Sequence, residues 1–200
     1  MGGSALVLYG TDNLERRSQA YDLLAIAAKE HWGFSSLPTL VRSPTGKPAF
    51  ASFPGREFNL SHSGTLALCA LDGSPVGVDI QTVKSWRPSL PHRVCSQAEL
   101  DWLDSQTDFW QSFTTLWALK ESRVKQSGLG LRGAISAISV PLPRHGQGLY
   151  AHEGLWFRLY FGPGWVGAVC ALSIPPARIR WRPLSPTLSP SRKEAADHAF

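Results

Sequence analysis

The 200-residue chain has no cysteine pair to build on: its three cysteines, Cys69, Cys95 and Cys170, are odd in number and form no Cys-x-x-Cys. Two of them lie in apolar, strand-like runs, which excludes a disulfide framework or a cysteine-rich zinc site and leaves buried, reduced thiols. No apolar run reaches the length of a membrane span. No basic region precedes the first apolar run, Leu6-Val7-Leu8-Tyr9, so that stretch reads as a first strand and not as a signal peptide. A cytoplasmic protein, without a membrane partner, is the expectation. Gly-x-Ser-x-Gly is also missing. Ser61 and His62 are neighbours that point to opposite faces of an extended chain, so a hydrolase dyad is excluded. The chain has no helix-turn-helix, no zinc pattern and no regular basic–aromatic face, which argues against a nucleic-acid-binding module. Its carboxylates are too scattered for a typical metal-dependent nuclease or phosphatase.

What is present is material for a core. Hydrophobic residues make up 43% of the chain and eight residues are Trp, enough for one substantial domain or two small packed lobes. The formal charge of +5 favours an anionic partner: a nucleotide, a nucleic acid or an acidic protein. In order, the pattern predicts a strand at Leu6–Tyr9, a helix from about Leu14 to His31, and a loop-rich Leu37–Pro54 centred on Ser43-Pro44-Thr45-Gly46-Lys47-Pro48. Arg16 and Arg17 would sit in the first helical turn, where cations oppose the helix dipole; they are either a solvated face or an anion contact. Glu57–Gly64 reads as a polar turn leading into a strand at Thr65–Leu71, and Val76–Gln81 as another strand. Ser85–Pro91 is the candidate lobe boundary. Ser96-Gln97-Ala98-Glu99 matches a capping box. The long helix runs from Thr107-Asp108 to Ser127-Gly128, with a glycine cap at its end. Ala134–Val140 alternates like a strand, and Leu155–Phe161 with Trp165–Leu172 reads as a hairpin across Gly162-Pro163-Gly164. The Pro- and Arg-rich tail, 175–200, is expected to be anchored at Ile179 and Trp181 and otherwise mobile.

Two stretches carry the chemistry. In Gly77-Val78-Asp79-Ile80-Gln81, alternation places Gly77, Asp79 and Gln81 on one face and Val78 and Ile80 on the other. An aspartate is disfavoured inside a strand; here it is either a strand-end cap or ion pair, or a ligand. In the long helix, Trp117, Glu121 and Lys125 recur at steps of four and line one edge. Taken alone, Glu121 and Lys125 are a surface ion pair worth about 0.3–0.5 kcal/mol. Together with Asp79 they are a kit for holding a metal ion and a phosphate. A short echo, Ala67-Leu68-Cys69-Ala70-Leu71 against Ala168-Val169-Cys170-Ala171-Leu172, fits a chain built from two similar lobes.

Four stretches in this order resemble the surfactin-type 4′-phosphopantetheinyl transferases: Gly46-Lys47-Pro48, Phe58-Asn59-Leu60-Ser61-His62-Ser63, Gly77-Val78-Asp79-Ile80, and Trp117-Ala118-Leu119-Lys120-Glu121-Ser122 followed by Lys125. The resemblance is firm from Gly46 to Leu131 and topological outside that span. It implies an α+β fold with a pseudo-twofold pair of similar lobes, 1–90 and 91–174, ahead of the tail. It implies transfer of the 4′-phosphopantetheine arm of coenzyme A to a serine of an acidic apo carrier protein, with adenosine 3′,5′-bisphosphate released. In this reading Asp79 and Glu121 hold Mg²⁺, and Gln81, where many relatives carry Glu, reduces the cage to two carboxylates. Glu121 also accepts the serine proton, and Lys125 stabilises the leaving group. Ser61 and His62 hold phosphate oxygens, Lys47 lies near the adenine or its phosphate, and Lys120 touches the nucleotide from a second side. Arg16 and Arg17 are candidates for the 3′-phosphate. The apolar segment around Trp102, Phe109 and Trp110 is either a carrier contact or core. Two lobes in one chain make a monomer sufficient. The alternatives are a coenzyme A-binding relative without transferase activity and, on charge alone, a nucleic-acid-binding module.

Overall fold

A computed structural model describes residues 5–130 and 133–185. The first strand, β1 (Val7–Thr11), leads into α1 (Ala20–Trp32), and then come β2 (Leu40–Arg42), β3 (Pro48–Phe50), β4 (Glu57–Ser63), β5 (Leu66–Asp72) and β6 (Val76–Thr82). Two short helices, α2 (Leu90–Val94) and α3 (Gln97–Asp104), precede the long α4 (Phe109–Ser127). The chain closes with β7 (Leu149–His152), β8 (Leu155–Gly162), β9 (Trp165–Ala171) and β10 (Arg180–Trp181).

The strands form two four-stranded sheets, ordered β10-β1-β5-β4 and β6-β9-β8-β7, and a separate β2-β3 hairpin. Each large sheet repeats one plan. A strand (β1 or β6) runs into a long helix (α1 or α4), and a hairpin (β4-β5 or β8-β9) returns beside it. Within each plan the second hairpin strand pairs antiparallel with the first strand. The echoed sequences fall on β5 and β9, equivalent strands of the two halves, so the fold is the expected α+β pair of similar units.

Alternation along these strands produces the layers. Leu6, Leu8, Leu68 and Ala70 from one sheet meet Val76, Val78, Ile80, Val169 and Ala171 from the other in a single buried cluster between the sheets. The opposite face of the first sheet buries Val7, Tyr9, Phe58 and Cys69 against Leu23, Leu24 and Ala27 of α1. The opposite face of the second buries Phe157, Leu159, Ala168 and Cys170 against Phe113, Leu116 and Leu119 of α4. The result is helix, sheet, sheet, helix. All three cysteines are free and buried, as their apolar runs imply. Among the described residues no helix is long and apolar enough to cross a membrane.

The expected helix ends hold where a cap was legible. Asp108 accepts the Gln111 N–H at 3.0 Å at the start of α4, and Gly128 ends it at φ 65°. Ser96 and Glu99 form the reciprocal capping box. Other boundaries differ. The first helix begins at Ala20 because the Gln19 side chain accepts the N–H groups of Glu15 and Arg16, both at 2.8 Å, holding that stretch outside the helix; Arg17 falls in a single 3-10 turn, Arg17–Gln19. Ala134–Val140 contains a 3-10 turn at Ile135–Ala137 instead of a strand, because the carbonyls of Ile135 and Ile138 face the Lys120 ammonium and no neighbouring strand. The loop-rich Leu37–Pro54 hides the β2-β3 hairpin, and the polar Glu57–Ser63 is itself a strand.

β6 lies inside the 1–90 stretch expected as the first lobe, yet it pairs along its whole length with β9. In hydrogen bonding the second unit therefore begins at Val76. The start of the tail is tied down: β10 pairs parallel with β1, and Leu184 is buried in the first unit's core. The rest of the tail expected to be mobile, 186–200, lies outside the described residues.

Candidate active site

The two sheets meet at an unusual seam. Val78, Ile80 and Thr82 of β6 donate their N–H groups to side chains of β4: to Asn59 Oδ1 at 2.9 Å, Ser61 Oγ at 3.2 Å and Ser63 Oγ at 3.0 Å. The register advances by two on both strands, so β4 and β6 run in the same direction with side chains standing in for a backbone ladder. Polar residues alternate in β4 because every second side chain there satisfies an edge donor that burial would otherwise orphan.

This seam sets Asp79. Its carboxylate is 1% exposed and is held on three sides: Ser61 Oγ donates to Oδ1 at 2.7 Å, Lys125 Nζ donates to Oδ1 at 2.6 Å, and Gln81 Nε2 donates to Oδ2 at 2.8 Å. Lys125 also lies 3.1 Å from Ser61 Oγ. α4 reaches this point because Gly77 admits its backbone: a Cβ there would stand 1.9 Å from the Ser122 carbonyl oxygen and 2.3 Å from the Gln126 nitrogen. Glu121 is one helical turn before Lys125 and is half-buried. Burial, then the Asp79 charge, push its carboxyl above the usual range, against the opposing pull of Lys125. Lys125 is ion-paired with Asp79 and acts on Glu121 through its charge.

A groove runs past this cluster. One cavity of about 260 Å³ is lined by Thr45, Lys47, Asn59, Leu60, Val124 and Lys125. A second, about 670 Å³, is lined by Arg17, Tyr21, Arg42, Asn59, Leu60 and His62. The two share Pro48, Asn59 and Leu60, so they meet along β3 and β4. The loop before β3 closes over the end of α4, with Thr45 donating to the Gly128 carbonyl. Lys47 donates to the Val76 carbonyl at 3.1 Å, and burial lowers its pKa. His62 is held below its ordinary pKa by burial first, and then by the Arg17 and Lys125 charges. Cations therefore line the groove on both sides. Another cavity, about 450 Å³, lies at the opposite end of α4 against Trp102, Gln111, Thr115, Arg144 and Phe161 and has no acid in its wall.

The structure thus brings Asp79, Gln81, Glu121 and Lys125 together and sets Lys47, His62 and Arg17 along the adjoining groove. Lys120 falls elsewhere, while Ser61 and Arg16, like Asp79, Gln81 and Glu121, stand outside the linings of the two groove cavities. Lys120 is 1% exposed and turned to the far side of α4, where it meets Glu99 at 2.9 Å and the carbonyls of Ile135 and Ile138. A residue adjacent to Glu121 on a helix points about 100° away from it, and here that direction is the core. Ser61 is 6% exposed and faces Asp79, lining neither groove cavity. Arg16 lines neither cavity either. Trp102, Phe109 and Trp110 pack against the core of the second unit. Asn59 and Ser63, though part of a quoted motif, and Arg42 and Thr45 were given no role from the sequence; the period-two polarity of β4 was the available signal for the first two.

Among the described residues no group of three or more His, Cys, Asp or Glu side chains is placed to hold a metal ion. The donors present are two carboxylates and the Gln81 amide oxygen. That set suits Mg²⁺, which commonly takes one or two protein carboxylates and completes its shell with water and substrate phosphate.

Residues 75–170, spanning β6 through β9, match the model of the 4′-phosphopantetheinyl transferase superfamily. The resemblance drawn from the four motifs is upheld. The chain is similar to the 4′-phosphopantetheinyl transferase Sfp of Bacillus subtilis (strain 168), 37% identical over 136 residues, which is 63% of this chain and 59% of that protein. It is similar to the 4′-phosphopantetheinyl transferase ffp of Bacillus subtilis, 35% identical over 142 residues, or 63% and 59%. It is also similar to the 4′-phosphopantetheinyl transferase AcpT of Salmonella typhimurium, 38% identical over 115 residues, or 54% and 59%. The matches span a little under three-fifths of each of these relatives.

Proposed function

We propose that the protein transfers the 4′-phosphopantetheine arm of coenzyme A to a serine of an apo carrier protein. The observation that carries this reading is the pairing of Asp79 with Lys125, which itself lines the cation-lined groove between the two units, with Glu121 near enough to feel both charges. The substrate's linked phosphoryl groups repel an incoming oxygen until their charge is met. Lys47, Lys125, His62 and Arg17 supply positive or hydrogen-bonding groups along the groove for that purpose. Asp79 and Glu121, with Gln81 beside them, would hold Mg²⁺, which when bound neutralises the pyrophosphate and favours attack.

The remaining chemistry belongs to the side chains. The carrier serine oxygen attacks the phosphorus that bears the pantetheine arm, and the phosphorus–oxygen bond to the adenosine bisphosphate breaks. The serine proton passes to Glu121, whose raised pKa makes it a better base than an exposed carboxylate. Lys125 stands where the negative charge of adenosine 3′,5′-bisphosphate grows. The net charge of +5 suits an acidic carrier. We read the chain as acting as a monomer, because both units that form the groove come from one polypeptide.

Apo carrier, coenzyme A and Mg²⁺ are incubated with the protein and the carrier is weighed intact. The expected result is addition of one pantetheine arm, lost without Mg²⁺ and nearly lost in folded Glu121→Ala. Folded protein that modifies none of several acyl and peptidyl carriers overturns the transferase reading and leaves a coenzyme A-binding relative.

A further inference from the structure

We propose that Ser61 is a positioning residue: its hydroxyl fixes the Asp79 carboxylate at the seam between the two sheets and does not contact the substrate. The argument starts from how many bonds a hydroxyl can make. A serine hydroxyl has one proton to give and two lone pairs to receive. Ser61 Oγ receives the Ile80 N–H at 3.2 Å, and that group can only donate. It also lies 3.1 Å from Lys125 Nζ, which likewise can only donate. Both lone pairs are therefore occupied by donors, and the single proton is committed to Asp79 Oδ1 at 2.7 Å. The bond's direction is set by its surroundings.

The same atoms tie three elements together. Ser61 stands on β4, Ile80 and Asp79 on β6, and Lys125 on α4. Ser61 is the middle rung of a ladder whose outer rungs, Asn59 and Ser63, also accept β6 N–H groups. Ser63 meets Thr82 and no acid; Asn59 meets Val78. Only the middle rung reaches a carboxylate. Ser61 thus converts the packing of one sheet edge against the other into the orientation of Asp79.

The proposal rests on the transferase reading for its consequence, because it is there that the orientation of Asp79 matters. It rests on the seam alone for its geometry. Ser61→Ala, Ser63→Ala and Ser61→Thr are compared in three measurements: amide hydrogen exchange at Val78, Ile80 and Thr82, Mn²⁺ affinity by electron paramagnetic resonance, and coenzyme A affinity by calorimetry. In Ser61→Ala, exchange at Ile80 rises relative to Val78. Mn²⁺ binding weakens about tenfold, the scale seen when a group orienting a metal ligand is removed, and coenzyme A affinity stays within about twofold of wild type. Ser61→Thr restores Mn²⁺ affinity because it keeps the hydroxyl. Ser63→Ala speeds exchange at Thr82 and leaves Mn²⁺ affinity unchanged, which separates orientation of Asp79 from general loosening of the seam. Ser61→Cys, similar in size but a weak donor, takes the place of Ser61→Ala if that variant does not fold.

Unchanged exchange at Ile80 overturns the proposal. So does a loss of coenzyme A affinity with Mn²⁺ affinity intact, which would make Ser61 a phosphate contact. A wild-type protein that modifies no carrier overturns the transferase reading instead, and the exchange rates at Ile80 then decide the role of Ser61 by themselves.

Discussion

Lys120→Met separates a buried strut from a nucleotide contact. Lys120 sits in the motif beside Glu121, but its ammonium is spent on three acceptors: Glu99 Oε2 at 2.9 Å, the Ile135 carbonyl at 3.1 Å and the Ile138 carbonyl at 2.9 Å. Three donors meet three acceptors at 1% exposure. Methionine keeps much of the stem's volume and removes the charge, so the loss is electrostatic and not a cavity. Breaking a buried pair from one side costs about 3–5 kcal/mol because the remaining charge is left uncompensated. Glu99 keeps one donor, the Ser96 N–H at 2.7 Å, which places the expectation at the low end, about 3 kcal/mol. With a urea slope of about 2 kcal/mol/M, the unfolding midpoint, followed by tryptophan fluorescence, falls by about 1.5 M. Adding Glu99→Gln recovers part of that fall, because the orphaned charge goes with it. Coenzyme A affinity measured on the folded variant stays near wild type. A variant that keeps its urea midpoint and loses coenzyme A affinity tenfold refutes the reasoning and returns Lys120 to the nucleotide.

Other perturbations address the site and its frame. Gly77→Ala forces α4 off β6, because the new Cβ meets backbone at 1.9 Å; thermal unfolding should show a loss of about 3 kcal/mol or more, and retained stability would mean that α4 does not pack as closely as described. Glu121→Gln should abolish transfer yet stabilise the fold near neutrality. The carboxyl pKa is raised in the folded state, so folding opposes its ionisation. That penalty appears as pH climbs above the unfolded value of 4.5 towards the raised folded one, and below 4.5 the gain should vanish in urea titrations; a variant no more stable than wild type at neutral pH contradicts it. His62 has a pKa lowered from 6.5 by burial and neighbouring cations. Phosphate beside it should raise that value, so coenzyme A binding takes up a proton near neutrality, seen as a buffer-dependent calorimetric heat that His62→Gln removes. Gln81→Glu should lower the Mg²⁺ concentration needed for transfer; an unaltered requirement would place Gln81 outside the ion's ligands.

The acids of the site were legible because their placement follows from simple periods. Asp79 and Gln81 share a face of β6 by alternation, and Glu121 and Lys125 share an edge of α4 by helical spacing. The caps of α4 and of α3 were legible because Asp108, Gly128 and the Ser96–Glu99 pair act locally. What escaped the sequence depends on partners distant in the chain. Polar β4 looks like a turn until β6, hydrogen-bonded to another sheet, presents N–H groups that only side chains can meet. Ala134–Val140 alternates like a strand, but its carbonyls are claimed by Lys120. The α1 start at Ala20 is set by the Gln19 side chain folding back onto Glu15 and Arg16, a contact that a helical period cannot show.

These differences bear on how the motifs should be used. Ser61, Gly77 and Lys120 stand in the same short stretches as His62, Asp79, Glu121 and Lys125, yet the two sets face different neighbours. The first set joins β4 to β6, seats α4 against β6 and anchors α4 to α3. The second fronts the groove or the carboxylate cluster beside it. A seam made of side-chain to backbone bonds has to carry its polar residues at the positions where the site also needs polar residues, so motif membership alone cannot separate frame from chemistry. Loss of transfer in a motif variant is therefore ambiguous until its unfolding free energy is measured beside it. A residue of the frame loses both together, whereas Glu121 should lose turnover while the fold gains stability.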